Sequence, residues 1–162
     1  MTGITRQPMK APFCMAVGLA TLSLLVAPNS VPLLAAEDTA IRFRAVDVYV
    51  DSKEKPLAAY QLELSAKEGR AKIVGIEGGE HPAFKEPPFY DPKAMQQDRV
   101  IIAAFSTLPA NKLPKNKTRV ATIHVQSIGD RQPEFALKVE TAGTVGGKKI
   151  KVQARFEERK VE

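Results

Sequence analysis

Tyr60, Leu62, Leu64 and Ala66 occupy one phase of a two-residue alternation, and Gln61, Glu63 and Ser65 occupy the other. That is the period of an extended strand that buries one side only. The rhythm returns in Ala121, Ile123 and Val125 against Thr122, His124 and Gln126. It returns again in Phe135, Leu137 and Val139 against Ala136, Lys138 and Glu140, and in Ile150, Val152, Ala154 and Phe156 against Lys149, Lys151, Gln153 and Arg155. Residues 41–50 (IRFRAVDVYV) also alternate, but Ile41, Phe43 and Ala45 keep one phase while Val46, Val48 and Val50 keep the other. Holding both sets in one core requires a bulge or corner near Ala45 and Val46. Residues 71–76 (AKIVGI) add a short apolar run, and residues 100–105 (VIIAAF) are apolar on both phases, which predicts a central strand covered on both sides.

Polar turns separate these runs at 51–56, at Glu68-Gly69, at 107–117 and at 143–147. The long connection at 77–98 holds Gly78-Gly79 and four prolines, which deny it ladder hydrogen bonds. It reads as a working loop or a packed flap, with room for a short helical turn around 93–97. No stretch after residue 40 has the period of an amphipathic helix. Seven to nine short strands with closely spaced turns predict an all-β fold, an antiparallel two-sheet sandwich.

The first 36 residues have a different character. Arg6 and Lys10 precede a charge-free apolar run at 11–26, Pro28 and Pro32 break it, and Ala35-Ala36 offers a cleavage site. This is the layout of a signal peptide, so residues 1–36 are expected to be a leader and 37–162 the β-sandwich domain. The expected location is therefore outside the cytoplasm: periplasmic, cell-surface or secreted. Contact with a membrane is expected only if the leader stays uncleaved as an anchor, for which the run is short. Cys14 stands at the start of the apolar run, where a lipid-attachment cysteine would not, and without it the domain has no cysteine. Its stability must come from the core. Loss of Arg6 and Lys10 with the leader lowers the net charge from +6 to +4. The remaining cations are interspersed with acids, as in Lys53-Glu54-Lys55 and Glu157-Glu158-Arg159-Lys160. A solvated surface has that pattern, and nucleic acid is not an expected partner.

The order of segments resembles the cohesin domains of cellulosome scaffoldins, within the jelly-roll sandwiches that include carbohydrate-binding modules. The resemblance spans residues 41–157. It rests on Asp47-Val-Tyr-Val50 before a turn, Pro56-Leu-Ala-Ala-Tyr-Gln-Leu-Glu-Leu64, Val74-Gly-Ile-Glu-Gly-Gly79, Arg99-Val-Ile-Ile-Ala-Ala-Phe-Ser106, Thr118-Arg-Val-Ala-Thr-Ile-His-Val125 and Gly146-Gly-Lys-Lys-Ile150. It implies a jelly roll and a non-catalytic scaffolding or adhesion module whose partner is a dockerin-like or envelope protein. The related alternative is a module that binds polysaccharide.

The remaining chemistry is sparse. Phe84, Phe89 and Tyr90 share the proline-braced loop with His81 and form the candidate ligand-binding set, because aromatic rings stack on sugars or anchor protein partners. The plainer alternative is that Phe84 and Phe89 fold back as a lid on the sandwich. Glu77-Gly-Gly-Glu-His81 lacks the paired histidines of a zinc protease helix, and Ser65, Ser106 and Ser127 lack a nucleophile elbow, so no enzyme activity is expected. No cofactor is expected. Calcium is a minor alternative through Glu77, Glu80, Asp91 and Asp98, which do not form a recognised calcium loop. His124 falls on the polar phase of its strand, and Asn116-Lys-Thr118 fits a glycosylation sequon to which no role is attached.

Overall fold

The computed structural model describes residues 40–67, 71–129 and 132–160, so the expected leader lies outside the described residues. Eight strands follow in order: β1 (Ile41–Asp51), β2 (Ala59–Ala66), β3 (Ala71–Gly78), β4 (Phe89–Tyr90), β5 (Arg99–Phe105), β6 (Lys117–Ile128), β7 (Phe135–Gly143) and β8 (Gln153–Lys160). They form two antiparallel four-stranded sheets, the first ordered β3-β6-β1-β8 and the second β4-β5-β2-β7. Strand β1 pairs with β8, β2 with β7, β3 with β6 and β4 with β5. The chain is thus one long double ribbon folded across two sheets, a jelly roll. Among the described residues helical structure is confined to short 3-10 turns such as Pro82–Phe84, Pro92–Ala94 and Ala110–Lys112.

The alternation seen in the sequence decides which side chains meet between the sheets. Val46, Val48 and Val50 of β1 and Ile123 and Val125 of β6 face Tyr60, Leu62 and Leu64 of β2 and Val100 and Ile102 of β5, all at most 2% exposed. Burying side chains of this size contributes about 1.5–3 kcal/mol each, so these two faces dominate stability.

Two expectations about strand faces are corrected. There is no bulge at Ala45 and Val46: β1 runs straight there, and Ile41 and Phe43 stay on its outer face, 58% and 53% exposed. The irregularity lies between Val48 and Tyr49, which face Ala121 and Arg119. The extra residue is therefore Val120 of β6, and both Val120 and Ala121 are buried. Strand β5 is central in its sheet, but only one phase, Val100, Ile102 and Ala104, faces the core; its other phase, Ile101, Ala103 and Phe105, lies on the outer surface.

The connection at 79–98 is a flap laid along the sheet edges. Ile73 N–H donates to Gln97 O and Gln96 N–H donates to Ile73 O, both at 2.8 Å, so the loop extends the edge of β3, while β4 pairs with β5. Gly79 N–H reaches Phe84 O at 2.6 Å, and Phe84, 3% exposed, sets its ring edge-on to Tyr60 with 5.2 Å between centroids. Such tight folding needs the glycines: a Cβ on Gly78 would stand 1.9 Å from Lys85 O, and one on Gly79 2.2 Å from Arg119 O. The helical turn expected around 93–97 is a 3-10 turn at Pro92–Ala94, capped by Asp91 Oδ1 accepting from Lys93 N–H.

Candidate functional site

The outer face of the second sheet carries the two most exposed aromatic rings among the described residues. Cross-strand register sets Phe89, Ala103, Gln61 and Thr141 in one row and Phe105, Ala59 and Gly143 in the next. Phe89 is 69% exposed and Phe105 64%. Their rings are nearly parallel, 8° apart in plane with centroids separated by 6.1 Å. The neighbours Ala59, Ala103 and Gly143 are small, so the rings stand over a flat floor. A soluble domain normally buries such rings; a contiguous apolar patch left open marks an interaction surface.

Charged residues border the patch. Ile101, Glu63 and Lys138 share a row, as do Arg99, Ser65 and Ala136. Arg99 Nη2 donates to Glu63 Oε2 at 2.5 Å, and Lys138 Nζ lies 2.7 Å from Glu140 Oε1. The hydrogen bond from Arg99 holds the Glu63 carboxyl below its ordinary range, and the same bond raises Arg99. Lys138 is raised by Glu140. The two ion pairs, Arg99 with Glu63 and Lys138 with Glu140, balance charge within the face.

The residues singled out in the sequence separate. Phe89 reaches the surface. Tyr90, next along β4, points the opposite way, faces Ile102 and packs half-buried against the core. Phe84 is corrected from ligand contact to core, because a ring 3% exposed offers no stacking face. His81 Nδ1 accepts from Ala83 N–H at 3.1 Å and caps the turn at Pro82–Phe84. Phe105 was missed by sequence reasoning, although the signal was present in a strand apolar on both phases.

Three of the four loop carboxylates are engaged separately. Glu77 Oε1 lies 3.0 Å from His124 Nε2, Glu80 Oε1 accepts from Arg119 N–H at 3.0 Å, and Asp91 caps its turn. Among the described residues no group of three His, Cys, Asp or Glu side chains is placed to hold a metal ion.

A second polar arrangement lies on the outer face of the first sheet. Asp47, 5% exposed, accepts from Arg159 Nε at 2.6 Å, from Arg159 Nη2 at 3.2 Å and from Thr122 Oγ1 at 2.7 Å. Arg119 Nη1 donates to the same Thr122 hydroxyl at 2.6 Å. Burial pushes the Asp47 carboxyl up, but the bonds from Arg159 and Thr122 and the nearby guanidinium charges outweigh it and leave the group below its ordinary range. The network fastens β8 to β1 and β6; it is satisfied internally and reads as structural.

No family model, no curated protein and no solved structure matches this chain.

Proposed function

We propose that the domain is a non-catalytic, exported interaction module of cohesin-like type that docks a protein partner on the outer face of its second sheet. The observation that carries the reading is the open pair Phe89 and Phe105 on a floor of small residues. Interfaces commonly have an apolar centre inside a polar rim, and a few aromatic anchors supply most of the binding energy. Here Arg99, Glu63, Lys138 and Glu140 are the rim, and their mutual pairing keeps the face free of a strong field that would repel a partner. The jelly-roll pairing is in keeping with the cohesin resemblance, and the leader-like segment at 1–36 motivates export.

The test is capture from envelope and secreted fractions with the wild-type chain beside Phe89→Ala/Phe105→Ala. A protein retained by the wild type and lost with the double variant supports the reading, whereas equal retention or none counts against it. Export is tested by fractionation and by sequencing the amino terminus of the mature protein.

Polysaccharide binding is the second reading. It is favoured by the row in which Phe89 and Ala103 are followed by the amide of Gln61 and the hydroxyl of Thr141, stacking surface beside hydrogen-bonding groups. Retardation in polysaccharide affinity gels that Phe89→Ala abolishes would favour it; unchanged mobility across a broad glycan panel would end it.

A further inference from the structure

Lysines that lie far apart in the sequence are gathered by the fold at one end of the sandwich. Strand β1 ends at Asp51 beside Lys117 and Gln153, and β2 begins at Ala59 beside Phe105 and Gly143, so the connections 52–58, 106–116 and 144–152 all leave that end. Leu57 N–H donates to Pro114 O at 3.0 Å and Ala58 N–H to Gly143 O at 2.8 Å, which ties the three together. The first connection carries Lys53 and Lys55, the second Lys112 and Lys115, and the third Lys148, Lys149 and Lys151, all exposed. Seven lysines against Asp51 and Glu54 give this end a net charge of +5, while residues 37–162 as a whole carry +4, so everything else in the domain sums to −1.

On the sheet faces cations are matched with acids, as Arg99 is with Glu63, Lys117 with Glu157 and Arg159 with Asp47. Among the described residues none of the seven ammonium groups at the end has a carboxylate within 4.0 Å. Like charges collected in this way repel one another, and an anionic partner relieves the repulsion. Two features fit a lipid surface. The cations here are all lysine, whose point charge on a flexible stem answers a diffuse negative surface, whereas the arginine fork suits a single carboxylate or phosphate. The third connection also carries an apolar tip. Thr144 N–H donates to Lys148 O at 3.0 Å, Gly147 N–H donates to Thr144 O at 2.9 Å, and Lys149 bridges back to Gly143, so a tight hairpin extends β7 past the end of its sheet. Val145, 53% exposed, stands at its tip beside Gly146 and Gly147, where an added Cβ would meet nothing within 4 Å. An apolar side chain flanked by lysines enters the interfacial layer of a bilayer while the ammonium groups stay with the phosphates. A polyanion in solution would leave Val145 in water.

We propose that this end of the domain docks on membrane surfaces rich in anionic lipid, with Lys148, Lys149 and Lys151 among the headgroup phosphates and Val145 in the interfacial layer. The contact uses neither Phe89 nor Phe105 and does not depend on the docking reading.

The full nitrogen-labelled chain is mixed with bicelles of phosphatidylcholine, with or without phosphatidylglycerol, that carry a trace of lipid with a paramagnetic headgroup. Broadening is read residue by residue, so contact made by residues 1–36 does not stand in for contact made by the hairpin. The amide signals of 145–151 should broaden in the anionic bicelles only and recover as salt is raised. A lysine beside such a surface gives about a fivefold gain in affinity. Lys148→Gln/Lys149→Gln/Lys151→Gln should therefore weaken the contact about a hundredfold and remove the broadening. Val145→Ser should weaken it about threefold. Lys67→Gln/Lys72→Gln/Lys93→Gln, which removes the same charge away from this end, should change it little. Equal broadening in neutral bicelles, no broadening at 145–151, or an equal effect of the two triple variants would overturn the proposal. Polyglutamate bound as tightly as anionic bicelles at equal charge would assign the end to a soluble polyanion and overturn it as well.

Discussion

Replacing Asp47 with alanine removes the acceptor on which three bonds converge, two from Arg159 and one from Thr122. A hydrogen bond involving a charged group contributes about 1.5–3 kcal/mol. Two effects reduce the sum. The Arg159 side chain is 58% exposed, so solvent screens its share, and removal of Asp47 also removes the cost of burying its carboxylate. A net loss of about 2 kcal/mol remains. With an unfolding entropy of about 2.1 cal/mol/K per residue over about 120 residues, that loss lowers Tm by about 8 °C. Urea unfolding of wild type, Asp47→Asn and Asp47→Ala measures it. The pH dependence follows from the lowered carboxyl. A group whose native pKa lies below its unfolded value stabilises above the unfolded pKa, about 3.9 for aspartate, and loses that contribution as pH falls through the native value. The gap between wild type and Asp47→Asn should therefore be constant from about pH 8 to 5 and close below about pH 4. Equal midpoints at neutral pH, or a gap that persists undiminished in acid, would refute the reasoning.

Other substitutions separate the flap and core from the surface. Gly78→Ala and Gly79→Ala drive a Cβ into Lys85 O and Arg119 O and should each cost about 3 kcal/mol in urea unfolding. Gly146→Ala, with nothing within 4 Å of the added carbon, should change little. Phe84→Ala should cost about 3–5 kcal/mol, while Phe89→Ala, at a ring 69% exposed, should leave the midpoint within about 0.5 kcal/mol. Tyr60→Phe loses the bond from the buried hydroxyl to Val120 O at 3.0 Å, about 1 kcal/mol. Burial raises the Tyr60 phenol. A raised native value gives stability that is present below the unfolded pKa near 10 and lost as pH rises through the native one. Alkaline unfolding midpoints should therefore fall more steeply for wild type than for Tyr60→Phe.

The alternation of β2, β6, β7 and the first half of β8 was readable because one face of each strand is apolar and the other polar. The first turn of the ribbon was not. Ile41 and Phe43 lie on the outer phase of β1, and a strand with apolar residues on both phases does not disclose which side its sheet buries. Hydrophobicity measures the gain on burial, whereas the partner layer decides whether burial occurs. The same ambiguity hid Phe105, since residues 100–105 fit a doubly covered strand as well as a strand with one open apolar face. Thr122 is the converse case: on the polar phase of β6 it is 0% exposed, because Asp47 and Arg119 hydrogen-bond it. Sequence adjacency grouped His81, Phe84, Phe89 and Tyr90, but pleating sends Phe89 and Tyr90 to opposite faces and the flap folds Phe84 inward.

The most direct test of the docking face compares the two outer surfaces of the same domain. Phe89→Ala/Phe105→Ala alters the second sheet, and Ile41→Ser/Phe43→Ser alters the first at residues of similar exposure. Each variant is measured for affinity toward the protein captured by the wild type. A loss of about thirtyfold or more with the first variant, as truncation of interface anchors produces, and no change with the second is the expected result. Undiminished binding by the Phe89/Phe105 variant, or an equal loss in both, would contradict the assignment.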